Sequence, residues 1–175
     1  MAIAIDATVG GGSANSFTTL AEANTFMTAR LNASSWETDA SDDDKNRALV
    51  EATRFLSALR WQGTTVDTTQ ALTWPRQWVT DPDNPTLDYF STTAIPERVK
   101  DATMELAFQF IKQGTTDVAA QDGKDNVKRQ KVDVLEVEYF EHGQTTGVAR
   151  YPRVYNWLLP LLESSGALTA PLVRG

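Results

Sequence analysis

Two stretches of this chain repeat their apolar residues at the spacing of a helix, and they constrain the fold more than any other feature. The first runs from about 42 to 60, where Ala48, Leu49, Ala52, Phe55, Leu56 and Leu59 form one stripe. Ser41 stands before it as a cap, and Asp42, Asp43 and Asp44 put negative charge where a helix macrodipole favours it. The second begins at "IPERVKDATMELAFQFIKQG". Pro96 suits its first turn, where a missing N–H costs nothing, and Gly114 offers a left-handed stop. Between them, Val99, Thr103, Leu106 and Phe110 return at helical intervals.

Weaker patterns complete the outline. In "TTLAEANTFMTARL", Thr19 and Glu22 make a capping box, and Leu20, Ala23, Met27 and Leu31 fall on one helical face. The opening "AIAIDATVGGGSANSF" reads as a short alternating strand broken at Gly10 to Gly12. No Lys-Ser/Thr follows those glycines, so they predict a turn rather than a nucleotide loop. "NASSWETDASDDDK" reads as a polar linker with one tryptophan, Gly63 as the end of the 42–60 helix, and "VTDPDNPTLDYFSTTA" as an extended excursion. Further on, Leu135, Val137 and Tyr139 alternate with Glu136 and Glu138, the pattern of a half-buried strand. A short apolar helix follows in "YPRVYNWLLPLLESSG", kinked or confined to short turns by Pro160.

The expected fold class is mainly α: a small helical bundle of three longer helices and a C-terminal helix, with a minor β element at 132–140. Within a single domain, 1–113 forms the helical body, 114–150 an extended loop with the β element, and 151–175 the C-terminal helix and arm. A chain of 175 residues has room for one sizeable core.

Charge and composition exclude several functions. With 23 acidic and 16 basic residues the formal charge is −7, which counts against a main task of gripping phosphate backbones. The imbalance is uneven, at −8 over 1–123 (9 basic, 17 acidic) and +1 over 124–175 (7 basic, 6 acidic). Lys124, Lys128, Arg129 and Lys131 form the concentrated basic group. With no cysteine and one histidine, thiolate chemistry and the common zinc sites cannot be assembled. His142 sits beside a glycine and reads as a solvated turn residue, and no carboxylate pair is singled out for acid–base work. The three aspartates at 42–44 lack the glycine and distal glutamate of a calcium loop. The expectation is therefore no catalytic residue, no metal and no cofactor. No basic leader or bilayer-length apolar run is seen, so the default expectation is a soluble intracellular chain without membrane contact.

The stretch "ALTWPRQW" at 71–78 carries the sharpest question. Tryptophans interleaved with arginine can stack on the bases of a single strand. They can equally fill a core, where burial removes a large apolar area from water. The expectation is that Leu72 and Trp74 fill space between the two long helices, while Pro75 sets the turn. Trp78 reads either way. Arg76 would cap a helix C-terminus or pair with an acid. Leu49, Phe55, Leu56, Leu106 and Phe110 complete the expected core.

These residues also carry a resemblance. "ANSF" (14–17), "AEA" (21–23), "ALVEATRFL" (48–56), "WQG" (61–63), "QALTWPR" (70–76) and "IPERVKDATMELA" (95–107) occur in that order, and "LLPLLESSG" follows near the end. The set resembles a family of bacteriophage and prophage proteins, often labelled DnaT-like single-stranded-DNA-binding proteins. In size and helical layout these resemble the head–tail connectors, or head-completion adaptors, of tailed phages. The likeness is good over about 13–113 and weaker beyond. Phe17 stands where a tyrosine is commoner.

The resemblance implies a structural adaptor at the virion neck, assembled in the host cytoplasm. Its implied partners are the portal protein, a tail or tail-completion protein, and further copies of itself in a ring expected to match the twelvefold portal. DNA would pass through as cargo, and no catalytic residue is implied. The tail "ALTAPLVRG" would reach into the portal, with Leu168, Pro171, Leu172, Val173 and Arg174 in contact and the basic group Lys124, Lys128, Arg129 and Lys131 on a partner. The alternative is single-stranded-DNA binding, which needs Trp61, Trp74 or Trp78 exposed beside that basic group.

Overall fold

In the computed structural model, residues 3–83, 89–114, 129–132, 135–138 and 147–163 are described, with backbone only in the strands at 129–132 and 135–138. The fold is mainly α with a minor β component. Its helices are α1 (Leu20–Thr28), α2 (Ser34–Glu37), α3 (Asp42–Ser57), α4 (Glu97–Gln113) and α5 (Pro152–Leu158). The strands are β1 (Thr64–Thr65), β2 (Arg76–Gln77), β3 (Arg129–Val132) and β4 (Leu135–Glu138).

The expected caps hold α1 and α3. Thr19 accepts the Glu22 N–H at 3.2 Å, and Glu22 accepts the Thr19 N–H at 2.7 Å. Ser41 accepts the Asp44 N–H at 3.2 Å. α4 starts one residue later than expected, with Pro96 as its N-cap, and stops at Gly114 in the left-handed conformation (φ 67°). α3 and α4 pack along their apolar faces with Leu49, Leu56 and Leu106 fully buried and Phe110 nearly so. Phe55 is only partly buried. Its ring meets Phe110 edge-on at 6.2 Å and Tyr151 at 6.4 Å, and Phe110 meets Tyr151 at 6.2 Å. That triad ties α3 and α4 to the start of α5. α5 stops at Leu158 and passes into a short 3-10 turn, Leu159–Leu161, so Pro160 confines the helix as expected.

Several expectations are corrected. The N-terminal segment from Ile3 is extended but pairs with no strand among the described residues. Instead, Ile3 donates to Asp43 Oδ1 at 3.0 Å, Asn46 donates to the Ile3 carbonyl at 3.1 Å, and Asn15 donates to the Ala4 carbonyl at 2.9 Å. Side-chain amides and a carboxylate replace the ladder. α1 ends before Leu31, which is 86% exposed rather than on the apolar face. The polar linker contains α2, whose Trp36 is 1% exposed and donates to Asn24 Oδ1 at 2.9 Å. α3 stops at Ser57, short of Gly63, and Trp61 Nε1 donates back to the Leu56 carbonyl at 3.0 Å. The expected single strand at 132–140 is an antiparallel hairpin, registered Arg129↔Glu138 and Val132↔Leu135. Tyr139 and the burial of the alternating residues lie outside the described residues.

Candidate interaction surfaces

The stretch 71–78 is a plug with one tryptophan in the core and one outside it. Trp74 is 1% exposed. Its ring meets Trp61 edge-on at 5.5 Å and Phe90 at 6.4 Å, while Leu72 packs against the same core half-buried. The Trp74–Pro75 peptide is cis. Arg76 takes neither expected role as its main one. Its guanidinium donates to the carbonyls of Gln62 (2.8 Å), Gly63 (2.6 Å) and Thr73 (3.2 Å), stitching two loop strands together. Burial lowers its pKa, and the charge of Glu163 opposes that shift. Gly63 has φ +66°, and a Cβ there would collide with the Gln77 carbonyl oxygen, so the close approach requires glycine. The chain returns to this loop at its far end: Gln62 donates to the Leu161 carbonyl at 3.0 Å, and Glu163 to that of Arg60 at 3.0 Å.

Trp78, immediately beyond, is 62% exposed and has φ 66°. A bulky residue in that region is an outlier held by its surroundings. Tyr89, 47% exposed, meets the ring edge-on at 5.4 Å. The pairing Thr80↔Tyr89 and a hydrogen bond from Phe90 N–H to the Val79 carbonyl (2.9 Å) hold the two side by side. Asp81 adjoins them, and Asp83 is held by Arg98 through bonds of 2.8 and 2.6 Å. The result is an aromatic knob flanked by Asp81 and by the Asp83–Arg98 ion pair, beside the first turn of α4.

A second surface lies where the C-terminal end of α1 meets α4 and α5. A groove of roughly 720 Å³ is lined by Phe26, Leu31, Arg30, Lys112, Arg153 and Trp157, with Glu105 among its walls. Glu105, on the apolar side of α4, is 2% exposed. It accepts from Arg30 Nε at 2.8 Å and a terminal nitrogen at 2.7 Å, from Gln109 at 2.8 Å, and from Arg153 at 3.4 Å. Burial pushes its pKa up, but the bonds from Arg30 and Gln109 and the charges of Arg30 and Arg153 outweigh it and hold the carboxyl low. Arg30 also lies 3.9 Å over the Phe108 ring, and Arg153 lies 5.8 Å over Trp157. Three cations face one carboxylate, giving the groove a formal charge of +2 on an acidic chain.

Of the expected partner-binding residues, Lys124, Lys128, Leu168, Pro171, Leu172, Val173 and Arg174 lie outside the described residues, as does His142. Arg129 and Lys131 stand in β3 opposite Glu138 and Glu136. Asp43 and Asp44 are engaged with Ile3, Ser41 and Arg47, and no group of three or more acids or histidines among the described residues is placed to hold a metal. The groove went unread in the sequence, although a glutamate inside an apolar helical stripe marks a buried ion pair.

These features define a mainly α chain with a tryptophan-plugged core, an exposed aromatic knob and a cationic groove. A family model described as "Putative DnaT-like ssDNA binding protein" matches residues 1–175, and the chain belongs to that family. Neither the comparison with curated proteins nor that with solved structures returned a match.

Proposed function

We propose that this chain is a structural head-to-tail adaptor of a tailed bacteriophage, a ring subunit beneath the portal that extends the DNA channel and docks the tail. The observation that supports it most is the fate of the tryptophans. Trp61 and Trp74 are 3% and 1% exposed, so two of the three rings that could stack on bases are committed to the core and only Trp78 is open. The remaining one, Trp78, is followed three residues on by Asp81, and no lysine lines it among the described side chains. A body at −8 over 1–123 suits a wall past which DNA slides without being gripped. Unlike surfaces at different places on one subunit suit head-to-tail contacts closed by symmetry.

Single-stranded-DNA binding is the second reading, and the family description names that activity and not the adaptor role. The exposed Trp78–Tyr89 pair is the feature that fits it. A titration with oligothymidylate at several salt concentrations, run beside co-sedimentation with a portal ring, separates the two. The adaptor reading expects portal binding and no strand binding at low salt. Tight strand binding with a steep salt slope and no portal binding would replace it with the second. Deleting 167–175 is expected to abolish portal binding with the helical body still folded.

A further inference from the structure

We propose that the Trp78–Tyr89 knob of one copy docks in the Arg30–Lys112–Arg153 groove of the next, making the repeating contact of a head-to-tail assembly. The inference rests on the adaptor reading and names the contact it requires. Each half has an unsatisfied surface. The knob exposes two aromatic rings, one held outward at a left-handed φ of 66°. The groove exposes Leu31 at 86% and the Arg153–Trp157 stack, around a charge excess of +2. Buried tryptophan and tyrosine anchors dominate association energies, and arginine over an aromatic face is a favoured partner for them. The signs also match, since Asp81 follows Trp78 on the knob segment while Arg153 and Lys112 border the groove; Asp83 is already paired with Arg98 and adds no free charge.

Their placement makes the contact intermolecular. Arg98, in the first turn of α4, fixes Asp83 beside the knob, and Lys112, in the last turn, lines the groove. The helix between those residues rises about 21 Å. Two complementary patches at opposite ends of one rigid helix cannot meet within a subunit. They meet between copies related by rotation, as a ring needs.

The chain has no cysteine, so single thiols can report the contact. Leu31→Cys and Thr80→Cys variants, the second at an exposed position opposite Tyr89 that leaves both knob rings in place, are mixed under mild oxidation, with Val9→Cys, at 43% exposure, as the control partner for each. Docking predicts a mixed disulfide between positions 31 and 80 about tenfold above either control pair, through the raised effective concentration of apposed thiols. Adding Trp78→Ala, or Arg153→Glu with Lys112→Glu, is expected to bring that yield to the control level. Native mass spectrometry of the unmodified chain accompanies the trapping. Rings without the selective disulfide would overturn this contact and leave the adaptor reading intact. Monomers alone would overturn both. Loss of oligothymidylate binding in the Arg153→Glu, Lys112→Glu variant, with no selective disulfide, would reassign the groove to nucleic acid and overturn the proposal.

Discussion

Replacing Glu105 with leucine is expected to leave the Arg30 guanidinium stranded. The Arg30 side chain is 16% exposed and that of Glu105 3%, and two bonds of 2.7 and 2.8 Å join them. Breaking a buried pair from one side costs about 3–5 kcal/mol, because the remaining charge is neither hydrated nor compensated. Glu105→Leu should fall in that range. Arg30→Met should fall at its lower end, since Gln109 and Arg153 still reach the carboxylate at 2.8 and 3.4 Å. The double variant removes both charges and restores apolar contact with Phe108 and Phe26, so it should lie within about 1 kcal/mol of the parent. Urea unfolding followed by tryptophan fluorescence measures all three, with an unchanged m-value as the check on two-state behaviour. Additive losses, or a Glu105→Leu loss below about 1 kcal/mol, would refute the claim that this carboxylate serves to neutralise Arg30.

Three more measurements bear on other parts of the fold. Trp74→Ala should cost about 3–5 kcal/mol of stability, whereas Trp78→Ala should stay within about 0.5 kcal/mol, because only the first empties a packed site. Gly63→Ala should lose at least about 1 kcal/mol, from its left-handed φ and the Gln77 carbonyl behind it, read as a lowered urea midpoint. For Glu22, burial raises the pKa, but Lys100 at 2.6 Å and the Thr19 and Thr18 bonds outweigh it and hold the carboxyl at about 2 against an ordinary 4.5. A depressed carboxylate stabilises the fold above its unfolded pKa and loses that contribution as pH falls from about 4.5 towards 2. At 42% side-chain exposure the contribution is screened to about 1 kcal/mol. Glu22→Gln should therefore lower stability at neutral pH and flatten the acid limb of the pH profile.

The helical body was legible because its signals are local. A capping box at Thr19, a cap at Ser41 and a stop at Gly114 each depend on a few neighbouring residues, and each forms. What the sequence hid depends on distant partners. Nothing near Ile3 announces that Asp43 and Asn46 will take its backbone groups in place of a strand. Leu31 fits a helical face by spacing, yet α1 ends three residues earlier, at Thr28. Nothing beside Arg76 in the sequence foretells its carbonyl partners, because those carbonyls converge only when the 61–64 and 73–77 segments pair. The same holds for the groove, whose cations come from 30, 112 and 153. Trp78 was ambiguous for a related reason, since only the fold decides which side of the plug faces solvent.

The most direct test of the adaptor account is the native mass of this chain mixed with a portal ring of its phage. The account predicts one complex in which a closed ring of this chain adds to the portal with matching subunit number. Free portal beside free monomer, across the concentrations at which neck proteins assemble, would contradict it.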